Sequence, residues 1–355
     1  MPRIPERNLS PQRLFMELAA RHRPECAFEG SGAADFRRWQ QQTLPRVLAT
    51  LGDSPARVDP RPELSAEWEE HGLIRQRWLI DVQEHLAAVL LVNRPRSMAA
   101  GERRPAILCC HGHGPFGKEP VMGNASSPEL AQNIAMHRYN YGQVMAEQGF
   151  VTYAIDWIGF GERNDNNKPN HRPQAGRDWC NLYYLHATML GTTPLAINVA
   201  HGKAATDVVL GLPFVEPQRL GVMGLSGGGT MTLWMALCDP RFTAAEIICY
   251  SDLWAAFGIR DLNYCGMQVA PGLYKLVDLP DLQGLLAPRP LLIDIGVHDT
   301  CFRIDTAMAC YRQVEAIYAA AGARQNLELD LHPGEHGWGG NRSVGFFGRH
   351  LGLNP

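Results

Sequence analysis

The chain has 355 residues, with 33 Lys and Arg against 36 Asp and Glu for a formal charge of −3, so it lacks the concentrated basic face of a nucleic-acid binder. At 45% hydrophobic residues it is too apolar to be disordered, and it can bury a large core as one big α/β domain or as two average ones. Its longest apolar runs, such as Ala87–Val92, fall far short of the ~20 residues a membrane helix requires.

The N-terminus, Met1 to Arg7, is charged and has no apolar core of a signal peptide, so a cytoplasmic protein is expected. Pro11 to Arg21 carries Leu14, Phe15 and Leu18 at helical spacing, with Ser10 as N-cap. A second helix is predicted over Ala34 to Leu51. Asp53 to Pro62 reads as a Pro-rich linker, and residues 1–65 form a helical extension to a catalytic domain over 66–355. Leu73–Val82 and Leu86–Val92, separated by Gln83, Glu84 and His85, suggest a hairpin. Short apolar runs follow at wide spacing: Ala106–Cys110, Val151–Ile155, Leu220–Met223, Glu246–Tyr250, Pro290–Ile295 and Leu327–Leu331. Continuous apolar strands separated by helix-length segments predict a mostly parallel sheet with helices on both faces. Between Glu162 and Trp179 the chain is polar, with an Asn-rich run from Asn164 to Asn170. It reads either as a loop or small cap over the strands' carboxyl ends, inserted within 162–190, or as plain surface loop.

Nine cysteines form no C-x-x-C pair, and Cys109, Cys110 and Cys249 fall inside apolar runs. Reduced packing residues are expected, not a disulfide framework.

The strongest chemical signal is Gly224-Leu225-Ser226-Gly227-Gly228, a G-x-S-x-G turn between an apolar strand and a helix-like run from Thr230 to Leu237. A turn this tight pushes the serine side chain out, and the N–H of Gly227 then points to where an oxyanion would form. The turn His111-Gly112-His113-Gly114 follows another strand and can present a second N–H, from His113 or Gly114. H-x-H is also a metal-ligand spacing, but Pro115 to Lys118 supplies no further ligands, so no metal is expected. A serine needs a base, and the base needs an orienting acid. Asp299 lies just past the strand Pro290–Ile295 and is preferred to Asp294 within it. His336 lies in a Gly-flanked loop and is preferred to His332 at the strand end. His298 either lines the pocket or is a surface loop residue.

These stretches resemble the α/β-hydrolase superfamily and, within it, the dienelactone hydrolase and acetyl xylan esterase-like group. The resemblance spans about residues 70–350. It rests on Cys110–Gly114, Tyr153–Arg163, Met189–Thr192, the Ser226 elbow, Ala287–Asp299 and the His336 loop. It implies an α/β-hydrolase fold, Ser226 as nucleophile, Asp299 as acid and His336 as base. It further implies oxyanion donors from Gly227 and the His113/Gly114 turn, and structural roles for Asp156 and Arg163. The first ~65 residues and the Asn-rich loop are unmatched by the superfamily motifs.

The expected activity is that of a serine esterase cleaving a small, sugar or aryl ester through an acyl-enzyme, with no cofactor. The partner is a small-molecule ester. Neither nucleic acid nor membrane is expected, and a homo-oligomer remains open. Alternatives are an inactive binding protein of this fold, a lactone hydrolase of the dienelactone type, which often uses Cys, and a peptidase, which in this superfamily usually carries a propeller domain. Trp157, Trp179, Tyr183, Tyr184, Trp254, Phe257, Tyr264 and Trp338 fall near loops, where they either stack on a substrate or pack the core.

Overall fold

The computed structural model describes residues 7–165 and 178–353. Nine strands form one sheet: β1 (Glu63–Glu70), β2 (Leu73–Gln83), β3 (Leu86–Pro95), β4 (Arg104–Cys110), β5 (Val151–Ile155), β6 (Val215–Leu225), β7 (Phe242–Ile248), β8 (Leu291–Gly296) and β9 (Leu327–His332). Their order is β1-β2-β3-β5-β4-β6-β7-β8-β9. The pairs from β1 to β5 are antiparallel, and every pair from β5 through β9 is parallel. This is the α/β-hydrolase fold, an expected hairpin leading into a parallel sheet.

The central stretches of the parallel strands are mostly apolar because both faces are covered. Leu108, Cys110 and Val222 point into one core, which helices Pro194–Leu210, Gly227–Cys238 and Ile304–Ala320 close. Their chain neighbours Ile107, Cys109 and Met223 point into a second core, under helices Tyr141–Glu147 and Ser343–Leu351. Alternation of side chains along a strand fixes this division. Each such buried aliphatic side chain contributes about 1.5–3 kcal/mol, so register is held from both sides.

The N-terminal segment is part of this packing. Helix Pro11–Arg21 has the expected Ser10 cap, whose hydroxyl accepts the Arg13 N–H at 3.4 Å. Helix Ala33–Ala49 buries Phe36 and Val47 in the first core, and Gln40 Nε2 donates to the carbonyls of Leu285 and Ala287 at 2.9 and 2.8 Å. Strand β1, which sequence did not indicate, starts at Glu63 and is exposed along its whole length at the sheet edge. Of the polar stretch, residues 166–177 lie outside the described residues. The rest includes the short turn Gly161–Arg163 and helix Trp179–Met189. All nine cysteines are free, with Cys109, Cys110 and Cys249 buried as expected. Among the described residues no helix is long and apolar enough to cross a membrane.

Candidate active site

The parallel strands bring the candidate residues to one edge. Ser226 follows the carboxyl end of β6, Asp299 follows β8 and His336 follows β9, so all three lie past the same ends of the sheet. Ser226 itself has φ 60° and ψ −120°, a region that non-glycine residues seldom occupy. The surrounding glycines make this turn possible. A Cβ on Gly228 would lie 2.0 Å from the carbonyl oxygen of Cys110, and one on Gly224 would lie 2.5 Å from that of Gly228. The Ser226 N–H is committed to the Ile248 carbonyl at 2.9 Å, which ties the elbow to β7.

Gly227 opens the helix Gly227–Cys238, whose N-terminal dipole favours negative charge. Facing it is the turn after β4. The Gly112 N–H donates to the Tyr139 hydroxyl, so that amide is committed elsewhere. The amides of His113, Gly114 and Gly227 have no partner among the described residues. His111 is structural. Its Nδ1 donates to the Gly112 carbonyl at 2.8 Å and its Nε2 accepts the Trp157 N–H at 2.9 Å. Burial pulls its pKa down to about 4, keeping the ring neutral for that pair of bonds. His111 and His113 therefore serve different partners, and the H-x-H spacing does not converge on one ion.

Behind this turn is a buried charge cluster that sequence reading missed at Lys118. The Lys118 ammonium is 2.8 Å from Asp156 and 2.6 Å from Glu162, and the Lys118 N–H also donates to Asp156 at 2.8 Å. Arg163 donates to the Asp156 carbonyl at 2.9 Å. Burial pushes the Asp156 carboxyl up, but the Lys118 charge and hydrogen bonds outweigh it and hold it below its ordinary value. The structural roles expected of Asp156 and Arg163 follow from these contacts.

His336 Nδ1 donates to Asp299 Oδ2 at 2.8 Å. The other oxygen, Oδ1, accepts the N–H groups of Cys301 at 2.7 Å and Phe302 at 3.1 Å. Burial raises the Asp299 carboxyl, but the bond to His336 and these two amides win, and its pKa is lowered. The imidazole stacks on Phe302, with centroids 5.8 Å apart and planes 17° apart. The His336 carbonyl accepts from His137 Nδ1 at 2.6 Å, so the loop is held from two sides. Neither Phe302 nor His137 carried a signal in the sequence.

The two rival candidates, Asp294 and His332, are partners of each other. Asp294 Oδ1 lies 3.0 Å from His332 Nε2, and Oδ2 accepts the Gly339 N–H at 2.9 Å. The Oδ1 contact is close but not aligned as a hydrogen bond. Burial raises the Asp294 carboxyl and Asp294 raises the His332 imidazole. His332 Nδ1 accepts the Gly334 N–H at 3.1 Å, so in the neutral ring the proton sits on Nε2, facing the acid. This pair braces the base of the loop that carries His336.

Beside Gly227 is a narrow cleft, about 270 Å³ of empty space counting the part open to solvent, lined by His113, Trp157, Phe160, Met231 and Met267 among others. Of the aromatic candidates, Trp157 thus reaches the cavity, while Trp254, Phe257 and Trp338 are buried in the cores. His298 is exposed and does not line it.

A strained serine at a strand–helix elbow, opposite a glycine turn, with an Asp–His pair past the same ends of the sheet, is in keeping with an α/β-hydrolase. A family model described as the Abhydrolase family matches residues 2–330, and the chain belongs to that family. "Putative hydrolase YtaP" of Bacillus subtilis (strain 168) is 25% identical over 280 residues, covering 78% of this chain and 87% of that protein. Among solved structures, a putative acetyl xylan esterase (BF1801) from Bacteroides fragilis NCTC 9343 superposes with a TM-score of 0.71 at 18% identity, over 94% of this chain and 85% of the other. A glucuronoyl esterase from Solibacter usitatus gives 0.65 at 16% identity, over 89% and 93%.

Proposed function

We propose that the chain is a serine carboxylester hydrolase with Ser226 as nucleophile, His336 as base and Asp299 as orienting acid. The observation that carries this reading is the 2.8 Å bond from His336 Nδ1 to Asp299. It fixes the proton on Nδ1 and leaves Nε2 basic, the tautomer that can take a serine proton. Ser226 Oγ attacks the ester carbonyl while His336 takes its proton. The oxyanion is held by the Gly227 N–H and by an N–H of the His113/Gly114 turn. Removing one such donor typically costs about 10²–10³ in turnover. His336 then protonates the leaving alcohol, and water repeats the cycle on the acyl-enzyme.

The cavity beside Gly227 supports a short acyl group, because its apolar wall of Trp157, Phe160, Met231 and Met267 encloses little space. Ester chemistry is in keeping with the esterases of the same fold. The test is turnover of p-nitrophenyl acetate by the wild type and by Ser226→Ala. The variant should lose at least about 10⁴-fold in kcat with unchanged circular dichroism. A folded Ser226→Ala protein that retains turnover would remove the serine mechanism.

A further inference from the structure

A second constellation, of side chains that the proposed ester chemistry does not use, sits on the wall of the site. His113 Nε2 lies 2.9 Å from Cys265 Sγ. Cys180 Sγ joins them, and the three ligand atoms all fall within 4.8 Å of one another. They come from three separate places: the turn after β4, the first turn of helix Trp179–Met189, and the cap of the short turn Gly266–Gln268. Burial of a hydrophobic face would not require this convergence of one imidazole and two thiols.

We propose that His113, Cys180 and Cys265 form a binding site for a single thiophilic divalent cation of the Zn²⁺ class. Two sulfurs and an imidazole nitrogen select such an ion over Mg²⁺ or Ca²⁺, which prefer oxygen. In a tetrahedral zinc site the metal lies about 2.3 Å from sulfur and about 2.0–2.1 Å from nitrogen, which puts ligand atoms about 3.5–3.8 Å apart. The observed atoms reach that spacing with shifts of about an ångström or less. Three protein ligands leave a fourth position for water or another ligand.

The surroundings are built to hold the two sulfurs in place. The Cys180 N–H donates to Asp178 Oδ1 at 2.9 Å, and Asn181 Nδ2 donates to Asp178 Oδ2 at 2.8 Å. Asn181 Oδ1 in turn accepts the Gly266 N–H at 2.9 Å, linking the two cysteine segments directly. As the ion binds, protons leave the thiols for solvent, and affinity rises with pH.

The position also ties the ion to the ester site. A Cβ on Gly227 would lie 2.8 Å from His113 Nδ1, so the ring rests against the residue after the nucleophile. A cation on Nε2 would fix the ring proton on Nδ1, on that side. It would also fasten helix Trp179–Met189 to the wall of the cavity.

The test is a titration of the reduced full-length protein, held under a phosphine reductant, with Zn²⁺ against a chromogenic chelator and with Co²⁺ followed by absorption. One ion per chain is expected, with a sulfur-to-Co²⁺ charge-transfer band in the near ultraviolet. Cys180→Ser and Cys265→Ser should each weaken binding at least about 100-fold, beyond the 10–100-fold typical of residues behind the ligands. Both should keep the metal-free turnover of p-nitrophenyl acetate, which shows that they fold. Absence of stoichiometric binding, a Co²⁺ spectrum without the sulfur band, or binding that survives in the double serine variant would each overturn the proposal. Binding that survives there but is lost in Cys249→Ser would move the ion to Cys249 with either the Asp294–His332 or the Asp299–His336 pair, also against it.

Discussion

Replacing Asp299 by Asn tests the acid through a change of one proton. Asp299 Oδ1 accepts two backbone N–H groups, from Cys301 and Phe302, so the oxygen of the substituted amide must stay on that side. Its NH₂ then faces His336 Nδ1 at the 2.8 Å position that now receives a proton. Two donors cannot share that line, so the imidazole moves its proton to Nε2 and no longer accepts from Ser226. A reversed tautomer costs about 10⁴ in kcat, some 5 kcal/mol of barrier. Asp294→Asn differs. Its oxygen can keep the Gly339 N–H, and the contact it spoils is the one to His332, which braces the loop. Turnover should stay within about tenfold, while stability falls by about 1–3 kcal/mol, the usual cost of an ill-matched buried polar group. Steady-state rates on p-nitrophenyl acetate, with urea denaturation of the same samples, separate the two effects. An inactive Asp294→Asn beside an active Asp299→Asn would refute the assignment.

Other consequences of the geometry can be measured independently. Lys118→Met leaves Asp156 buried without its cation and should cost about 3–5 kcal/mol in urea unfolding at pH 7; equal stability would show that the cluster matters little. Burial lowers Lys118, but Asp156, Glu119 and Glu162 outweigh it and raise it, while Lys118 lowers Asp156 and Glu162. The lysine contribution is therefore complete below its unfolded value of about 10.4 and lost as pH rises through the folded one. The carboxylate contributions are complete above about 4.3 and lost as pH falls through the lowered folded values. The contribution of this cluster to the unfolding free energy should thus be flat from about pH 5 to 9, and a contribution confined to acid would contradict it. Gly228→Ala cannot fit against the Cys110 carbonyl and should abolish the soluble fold, whereas Gly32→Ala, with open space around it, should change stability by less than about 1 kcal/mol. Met267→Ala widens the cavity and should raise the butyrate-to-acetate ratio of kcat/KM by about 10-fold, one or two methylenes' worth of discrimination; an unchanged ratio would place the acyl group elsewhere.

Which parts of this were legible in the sequence depends on how local the cause is. Strands β2 to β9 announced themselves because burial on one or both faces leaves apolar runs or alternation. Strand β1 did not, since Glu63–Glu70 is exposed throughout and has no buried face to pattern. The Ser226 turn was legible because tight backbone approach demands glycine within a few residues. Asp299 and His336 could be chosen by their place after strands, and the structure adds why the rivals exist: Asp294 and His332 hold each other. Contacts between distant segments left no such trace. Lys118 reads as a surface lysine until β5 brings Asp156 beside it, and Cys180 and Cys265 meet only because helix Trp179–Met189 packs on the short turn Gly266–Gln268.

The central claim is that Ser226 is an activated nucleophile, and covalent labelling reads it most directly. A fluorophosphonate probe should modify the folded wild type at one site, mapped by peptide mass spectrometry to Ser226. Urea-unfolded protein should not react, because labelling needs His336 as base and the Gly227 amide as oxyanion donor. Modification of the folded chain at another residue, or none at all alongside measurable ester turnover, would contradict the account.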